Sequence, residues 1–331
     1  MTHSIIPVFV PHLGCPHNCV FCNQRKIAGT LSAPTPDGVR LIIEDGLKKA
    51  GRPAELAFYG GSFTAVDKKL QTALLGAAQP FLDAGDVSGI RVSTRPDCID
   101  GEILETLKKY GVKTVELGAQ STDDEVLRLS GRGHTKKDIS DASKLIKNAG
   151  LNLILQVMCG LPGDTREKDI KTAKDCAGLN PDGARIYPVV VLEDTPLYDR
   201  MKEGRYRPIT VSEACDTASG MLEVFEDADI PVIRIGLNAS DELSNGAAVA
   251  GAYHPALGEM ARSRLYLKRA EALLSSAPPL PGEVILGVNK SCLSLMAGQK
   301  KENRKKLAEL YPDIRIKIKA ADVSPGKVII M

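Results

Sequence analysis

Short apolar runs alternate along this chain with amphipathic stretches that carry helix start and stop signals. IIPVFV (5–10) reads as a strand. A helix follows over about 39–50, with Asp37 near its start and Gly51 past its end. ELAFY (55–59) is the next strand, ending in Gly60-Gly61, and leads to a helix near 67–83. IRVS (90–93) precedes a helix capped by Asp100 and closed by Gly111. TVELG (114–118) precedes a helix whose Thr135 and Asp138 have capping-box spacing, with Gly150 closing it. LNLILQVM (151–158), a helix near 165–178 and ARIYPVVV (184–191) complete six strand–helix steps. The strands read as apolar throughout, as in a parallel sheet covered on both faces.

Six such steps predict an α/β fold, a partial TIM-type (β/α)6 barrel with reactive groups at the strands' C-terminal ends. A doubly wound sheet has the same signature. A helix over 210–228 and strand-like IPVIRIGL (230–237) continue the pattern, so the barrel is expected to span 1–240. A helical connector (241–279) includes a helix near 256–275, and Pro-rich SAPPLPGE (276–283) is the linker candidate. A small α+β module (280–331) then reads strand 283–288, basic helix 291–310, strand 314–319 and strand 327–331.

Composition narrows the class. With 43% hydrophobic and 25% charged residues in 331, the chain can bury a sizeable core. It has no apolar run of membrane-spanning length, and its start lacks the pattern of a secretory signal. The expectation is a cytoplasmic protein without a membrane partner. Of eight cysteines, three fall within eight residues; the other five are scattered. That favours a metal site plus buried thiols in a reducing compartment, and Cys98, Cys176, Cys215 and Cys292 are read as core thiols.

The net charge of +2 hides an asymmetry. From Lys290 onward ten Lys/Arg face four Asp/Glu, which leaves 33 against 37 in the rest. A basic tail on a mildly acidic body points to an anionic partner or a solvated face. Lys301, Arg304 and Lys305 are expected on one helix face, and Arg315, Lys317 and Lys319 on one side of a strand. These six are the candidate RNA-binding residues.

The chemistry centres on Gly14-Cys15-Pro16-His17-Asn18-Cys19-Val20-Phe21-Cys22, where three cysteines have C-x3-C-x2-C spacing. Three thiolates at this spacing can converge on one iron–sulfur cubane and leave an iron open. An electron-transfer cluster would add a fourth Cys. Zinc with His17 is the other metal that fits these ligand types. Cys159, at a strand's C-terminal end, is a candidate catalytic hydrogen donor, and Tyr187 a second candidate catalytic residue.

The cysteine loop resembles the signature of the radical S-adenosylmethionine (SAM) superfamily, including an aromatic residue just before the third cysteine. FYGGSFT (58–64), VSTRPD (92–97), LGAQS (117–121), GRGHT (131–135), VMCGLPGDT (157–165) and RIYPVVV (185–191) extend the likeness. They resemble the radical SAM module of the elongator catalytic subunit and, less closely, oxygen-independent coproporphyrinogen oxidase. The likeness covers about residues 5–200.

The resemblance implies a 4Fe-4S cluster on Cys15, Cys19 and Cys22 whose open iron chelates SAM. Reductive cleavage would give a 5′-deoxyadenosyl radical, with flavodoxin or ferredoxin as electron donor. It places Gly60, Gly61 and Ser62 at SAM's amino group, with Ser62 where many members have Glu. Gln120 and Arg132 would meet the carboxylate and Gln156 the ribose. Ser93 stands where the coproporphyrinogen enzyme has Glu. The implied substrate is tRNA or another RNA; a tetrapyrrole-like small molecule and a non-catalytic iron–sulfur or zinc protein are the alternatives. The tail shows no acetyl-CoA phosphate loop, so elongator-type acetyl transfer does not follow.

Overall fold

The computed structural model describes residues 4–10, 15, 17–23, 34–237, 247–276 and 282–331. Seven parallel strands form its main sheet, in the order β1 (Ile5–Val10), β2 (Ala54–Gly60), β3 (Val87–Thr94), β4 (Val112–Gln120), β5 (Asn152–Cys159), β6 (Gly183–Pro188) and β8 (Val232–Ile235). Each strand pairs with the next along the chain, except that β7 (Val190–Leu192) lies outside the sheet and pairs antiparallel with β9 (Ala248–Gly251). This progression without reversal gives the curled half-barrel of the expected partial TIM type and not a doubly wound sheet.

The intervening helices are α1 (Pro36–Ala50), α2 (Lys68–Ala77), α3 (Gln79–Asp83), α4 (Gly101–Lys109), α5 (Asp124–Leu129), α6 (Lys136–Asn148), α7 (Arg166–Ala177), α8 (Pro196–Lys202) and α9 (Val211–Asp227). Their starts follow local chemistry. Asp67, Asp100 and Thr165 cap α2, α4 and α7, and Thr135 with Asp138 forms the capping box of α6. No helix of the described residues is long and apolar enough to cross a membrane.

The strands are not apolar throughout. One face, with Leu56, Phe58, Ile90, Val92, Val115, Leu117, Leu155, Val157 and Ile186, is fully buried and continuous with apolar residues of the helices. The other forms the lumen and carries Glu55, Tyr59, Arg91, Ser93, Glu116, Gln156, Arg185 and Tyr187 alongside apolar Ala57, Ile154 and Met158. The alternation is a strand's period of two, hidden in sequence by the apolar residues between.

α10 (Leu257–Ser276) joins barrel to tail. One side pairs with α9 through Arg264–Asp216, Lys268–Glu223 and Arg269–Glu226. Its Tyr266, Leu267, Ala270 and Leu274 form a second core with β10 (Gly282–Val288), α11 (Leu293–Ala297), α12 (Glu302–Leu310) and β12 (Val328–Ile330). The tail sheet has the order β11 (Ile314–Ala320), β10, β12, with β10 parallel to β11.

The single basic helix expected over 291–310 is broken. Gly298, Lys300 and Lys301 have φ of 78°, 48° and 63°, so Lys301 precedes α12. Asn303 explains the break: its buried Nδ2 donates to the Leu295 and Met296 carbonyls at 3.2 and 3.3 Å, drawing α12 onto the end of α11. Lys301 therefore does not share a helix face with Arg304 and Lys305.

Candidate functional site

Of the three cysteines of the loop, Cys19 is buried and Cys15 and Cys22 are half-buried. The loop is held to the rest of the site through backbone. Val20 N–H donates to the Ser130 carbonyl at 3.0 Å, and Leu197 N–H to the Val20 carbonyl at 2.9 Å. Gly131 and Gly133, both at positive φ, leave room for the Asn18 backbone and the His17 ring. His17 lies 3.7 Å from Asp97.

Two guanidinium groups face the Cys19 thiol. Arg132 Nη1 is 3.3 Å from Sγ, and Arg95 Nη1 is 4.0 Å from it. Arg95 is oriented by Asp97 at 2.9 Å and donates to the Arg132 carbonyl. Burial pushes the Cys15 thiol up, while the Ser62 backbone and the charges of Arg95 and Arg132 act to lower it. Electropositive surroundings of this kind suit thiolate ligands. Among the described residues no three Cys, His, Asp or Glu side chains are gathered as on one metal ion. A cubane asks for less, since each thiolate binds a different iron.

The C-terminal end of β4 supplies the next part. Arg132 Nη2 holds the Gly118 carbonyl at 2.7 Å, and a Cβ at Gly118 would collide with the Gln120 amide. Gln120 itself sits at φ 66°, with Oε1 buried and unpartnered; Arg132 Nε is unpartnered as well. Buried polar atoms without partners are costly, so two of them side by side mark a cradle for a polar ligand. The residues fit the expected SAM carboxylate and ribose, with Gln156 half-buried beside Gly118 in register. His134 completes this corner. Burial and Arg132 push its ring down to about 3, so it is neutral, and its Nε2 lies 3.1 Å from the Ala119 carbonyl.

Gly60 and Gly61 bring the end of β2 against β1. Gly61 N–H donates to the Val10 carbonyl at 3.1 Å, and a Cβ on Gly60, at φ 121°, would run into that same oxygen. Ser62 is buried, its hydroxyl 2.8 Å from that of Thr94 and bonded also to Cys98. That hydroxyl is engaged within the protein. Cys98 departs from the expected core thiol: it is half-buried beside Ser62 and Cys15, with its thiol pushed up by burial. Cys176, Cys215 and Cys292 are buried as expected.

The lumen floor holds an ionic network that composition gave no sign of. Glu116, 3% exposed, accepts from Arg91 at 2.8 Å, Arg185 at 2.9 Å and the Tyr59 hydroxyl at 3.3 Å. Arg91 also pairs with Glu55 at 2.7 Å. Burial acts most strongly, to lower the Arg185 guanidinium, but Glu116 together with Tyr187 and Tyr59 outweighs it and holds the charge on. The Tyr187 hydroxyl accepts from Arg185 at 3.5 Å and is pushed up by burial. Tyr187 and Ser93 thus lie on the lumen face, as a substrate-facing role requires.

Cys159 does not. It is fully buried on the opposite face of β5, in the main core near Cys215, and burial raises its thiol well above the usual range. The alternation from Gln156 sends Cys159 to the helix side, which removes it from the hydrogen-donor candidates. In the tail, Arg304, Lys305 and Lys319 are exposed, whereas Lys317 is tied to Glu283 at 2.8 Å and Arg315 lies 3.8 Å from it. That strand face carries less free positive charge than its sequence implies.

The Radical SAM superfamily model matches residues 9–176, and a Radical_SAM C-terminal domain model matches 181–268. The tRNA uridine(34) acetyltransferase of Methanocaldococcus jannaschii is 32% identical over 261 residues, covering 65% of this chain and 48% of that protein. Elongator complex protein 3 of Saccharomyces cerevisiae is 28% identical, covering 58% of this chain and 40% of that one. The chain therefore spans about half the length of the curated relatives it matches. Among solved structures, the archaeal Methanocaldococcus infernus Elp3 superposes with a TM-score of 0.64 at 26% identity, covering 81% of this chain and 64% of that one. The Escherichia coli coproporphyrinogen III oxidase HemN shares the fold, with a TM-score of 0.50 at 20% identity over 68% of this chain and 53% of its own. With the family model covering half of the chain and its match taking in all three loop cysteines, the Arg132–Gln120 cradle and Gln156, this chain belongs to the radical SAM superfamily of enzymes, whose cofactors are a 4Fe-4S cluster and S-adenosylmethionine.

Proposed function

We propose that this radical SAM enzyme acts on tRNA, with its radical chemistry carried out in the barrel lumen. Cys15, Cys19 and Cys22 would hold the cluster. Gly60 and Gly61, with the backbone of Ser62, would line SAM's amino group; Arg132 and Gln120 would take its carboxylate, Gln156 its ribose, and Ser93 would lie beside it on the lumen face. When bound, the cluster and SAM supply the radical that abstracts hydrogen from substrate, given an electron from a flavodoxin- or ferredoxin-like donor. The chain's own contribution is positional. Arg132 orients a carboxylate, and Tyr187, with the Glu116 network beneath it, shapes the chamber in which a substrate carbon meets the radical.

One observation carries the cofactor half of this reading: Arg132, whose guanidinium faces the Cys19 thiol, and Gln120 both border Gly118, and each leaves a buried polar atom, Arg132 Nε and Gln120 Oε1, without a partner. The substrate half rests on likeness to relatives whose names state a tRNA uridine. Exposed Arg304, Lys305, Lys301 and Lys319 would follow phosphates, with Arg315 and Lys317 contributing less because Glu283 is shared between them. Acetyl transfer, an activity named for relatives of which this chain spans about half, is left outside the proposal.

The test is anaerobic reconstitution followed by incubation with SAM, reductant and total tRNA. Formation of 5′-deoxyadenosine together with a mass change in a tRNA nucleoside is the expected result. Turnover of SAM that leaves every tRNA nucleoside unchanged, but alters a co-purifying small molecule, would replace tRNA with that molecule.

A further inference from the structure

Among the described residues the strands of the lumen floor carry more positive than negative charge: Arg91, Arg185 and Arg234 against Glu55 and Glu116. Arg91 uses both carboxylates, and Arg185 shares Glu116 with it. Arg234 lies opposite Arg185 in the β6–β8 register, so two guanidinium groups sit on neighbouring strands of one face. Neighbouring strands lie about 4.7–4.9 Å apart, so like charges side by side on one face repel each other. Arg234 is half-buried and has no hydrogen-bond or ion-pair partner among the described residues. Its charge bears on Tyr187, so it stands at the same part of the lumen. A second sign comes from Arg185 itself. It is 7% exposed, yet its Nε has no partner. A buried donor left open beside an uncompensated cation asks for an acceptor carrying negative charge.

We propose that the lumen receives an oxyanion of the substrate, a phosphate or a carboxylate, between Arg234 and the Arg185–Tyr187 pair. The inference rests on the lumen being the substrate chamber of the proposed radical enzyme. An anion there would neutralise the surplus cation, accept from Arg185 Nε and fix the substrate's orientation by charge-assisted hydrogen bonds. Arg234 is then a specificity-determining residue, rejecting neutral analogues that leave both guanidinium groups facing each other.

Calorimetric titration of the cluster-loaded, SAM-bound protein under nitrogen at low ionic strength tests this. The probes are uridine 5′-monophosphate, uridine and succinate. Tighter binding of the monophosphate than of uridine identifies phosphate; binding of succinate in its place identifies carboxylate. Arg234→Met should weaken the preferred anion about ten- to a hundredfold, as expected for a lost charge-assisted bond, and Arg234→Lys should restore most of it. The unpartnered side chain makes both variants foldable, with circular dichroism and the cluster's absorbance as checks. The inference is overturned if neither anion binds better than uridine, or if folded Arg234→Met binds like the parent. SAM cleavage by the parent is followed in parallel. Its absence would sink the radical reading, while the titration, which reads binding alone, still decides the anion.

Discussion

Arg132 bridges two distant parts of the chain, its Nη1 3.3 Å from the Cys19 thiol and its Nη2 2.7 Å from the Gly118 carbonyl. One side chain thereby sets the distance between the cysteine loop and the end of β4, leaving its Nε open toward the cradle. Arg132→Ala should weaken SAM binding about ten- to a hundredfold, the loss of one charge-assisted bond of roughly 1.5–3 kcal/mol. Equilibrium dialysis with labelled SAM measures it. Arg132→Lys should recover only part, because an ammonium cannot span thiol and carbonyl with a planar fork. Parent-like affinity in the alanine variant would show that the carboxylate is held elsewhere.

Replacing Cys15, Cys19 or Cys22 by Ala should each abolish the cluster. Iron and sulfide analysis should fall from about four of each per chain to near zero, while far-UV circular dichroism keeps the barrel's signal. Cys98→Ala and Cys159→Ala should both retain the iron. A cluster surviving the triple substitution would remove the basis of the site.

Gly60→Ala should destabilise the fold by about 1–3 kcal/mol, the cost of a side chain at a backbone conformation reserved for glycine. The added Cβ meets the Val10 carbonyl oxygen, so β1 must also shift. Urea denaturation gives the figure. A change below a few tenths of a kcal/mol would mean that the two strand ends are free to separate.

Asp164 and Asp169 lie against each other behind the Cys159–Gly160 turn. Burial raises both carboxyls, and Asp169, 2% exposed, rises well above the usual range. The folded state therefore keeps a proton that the unfolded chain releases near pH 3.9. Stability from this group is full below that pH and is lost as pH climbs toward the raised folded value. Asp169→Asn, whose amide donates to Asp164 without titrating, should flatten the decline and stabilise the protein near neutrality. Unfolding free energies from pH 4 to 7 would show it, and a variant with the parent's slope would contradict it.

If tRNA is the substrate, its binding should weaken steeply with salt, with a log–log slope of roughly −0.7 for each single-stranded phosphate contact. Reversing Arg304, Lys305 and Lys319 to Glu should lower affinity and flatten the slope. Reversing Lys317 should do less, because Glu283 already neutralises it. Filter binding across a salt series separates these outcomes.

Much of the architecture was legible in the sequence because strand and helix carry different periods and the helix starts carry caps. Thr135 with Asp138, and Asp100, sit where their spacing said they would. The cysteine loop, Gln120 and Arg132 were legible through resemblance, not pattern. The lumen network was not: Glu55, Arg91, Glu116 and Arg185 are single charges in otherwise apolar runs, and only the register brings them together. Arg95 lay inside a quoted motif without a role, since its contact with Cys19 joins segments 76 residues apart. The short antiparallel β7–β9 pair and α8 also escaped, being three to seven residues long. In the tail, Asn303 broke a helix whose charges had suggested continuity, a tertiary contact that overrode local propensity.

The backbone bonds from Val20 to Ser130 and from Leu197 to Val20 tie the cysteine loop to two segments more than a hundred residues away. In a zinc finger, metal binding and folding are one equilibrium, so removing the metal unfolds the domain. Here the barrel already holds Val20, between the second and third cysteines, through backbone bonds of its own. The free energy of cluster assembly then goes into holding iron and is not spent organising chain. Loss of the cluster to oxygen should accordingly be a reversible local injury, leaving a folded receptacle into which iron and sulfide can be rebuilt.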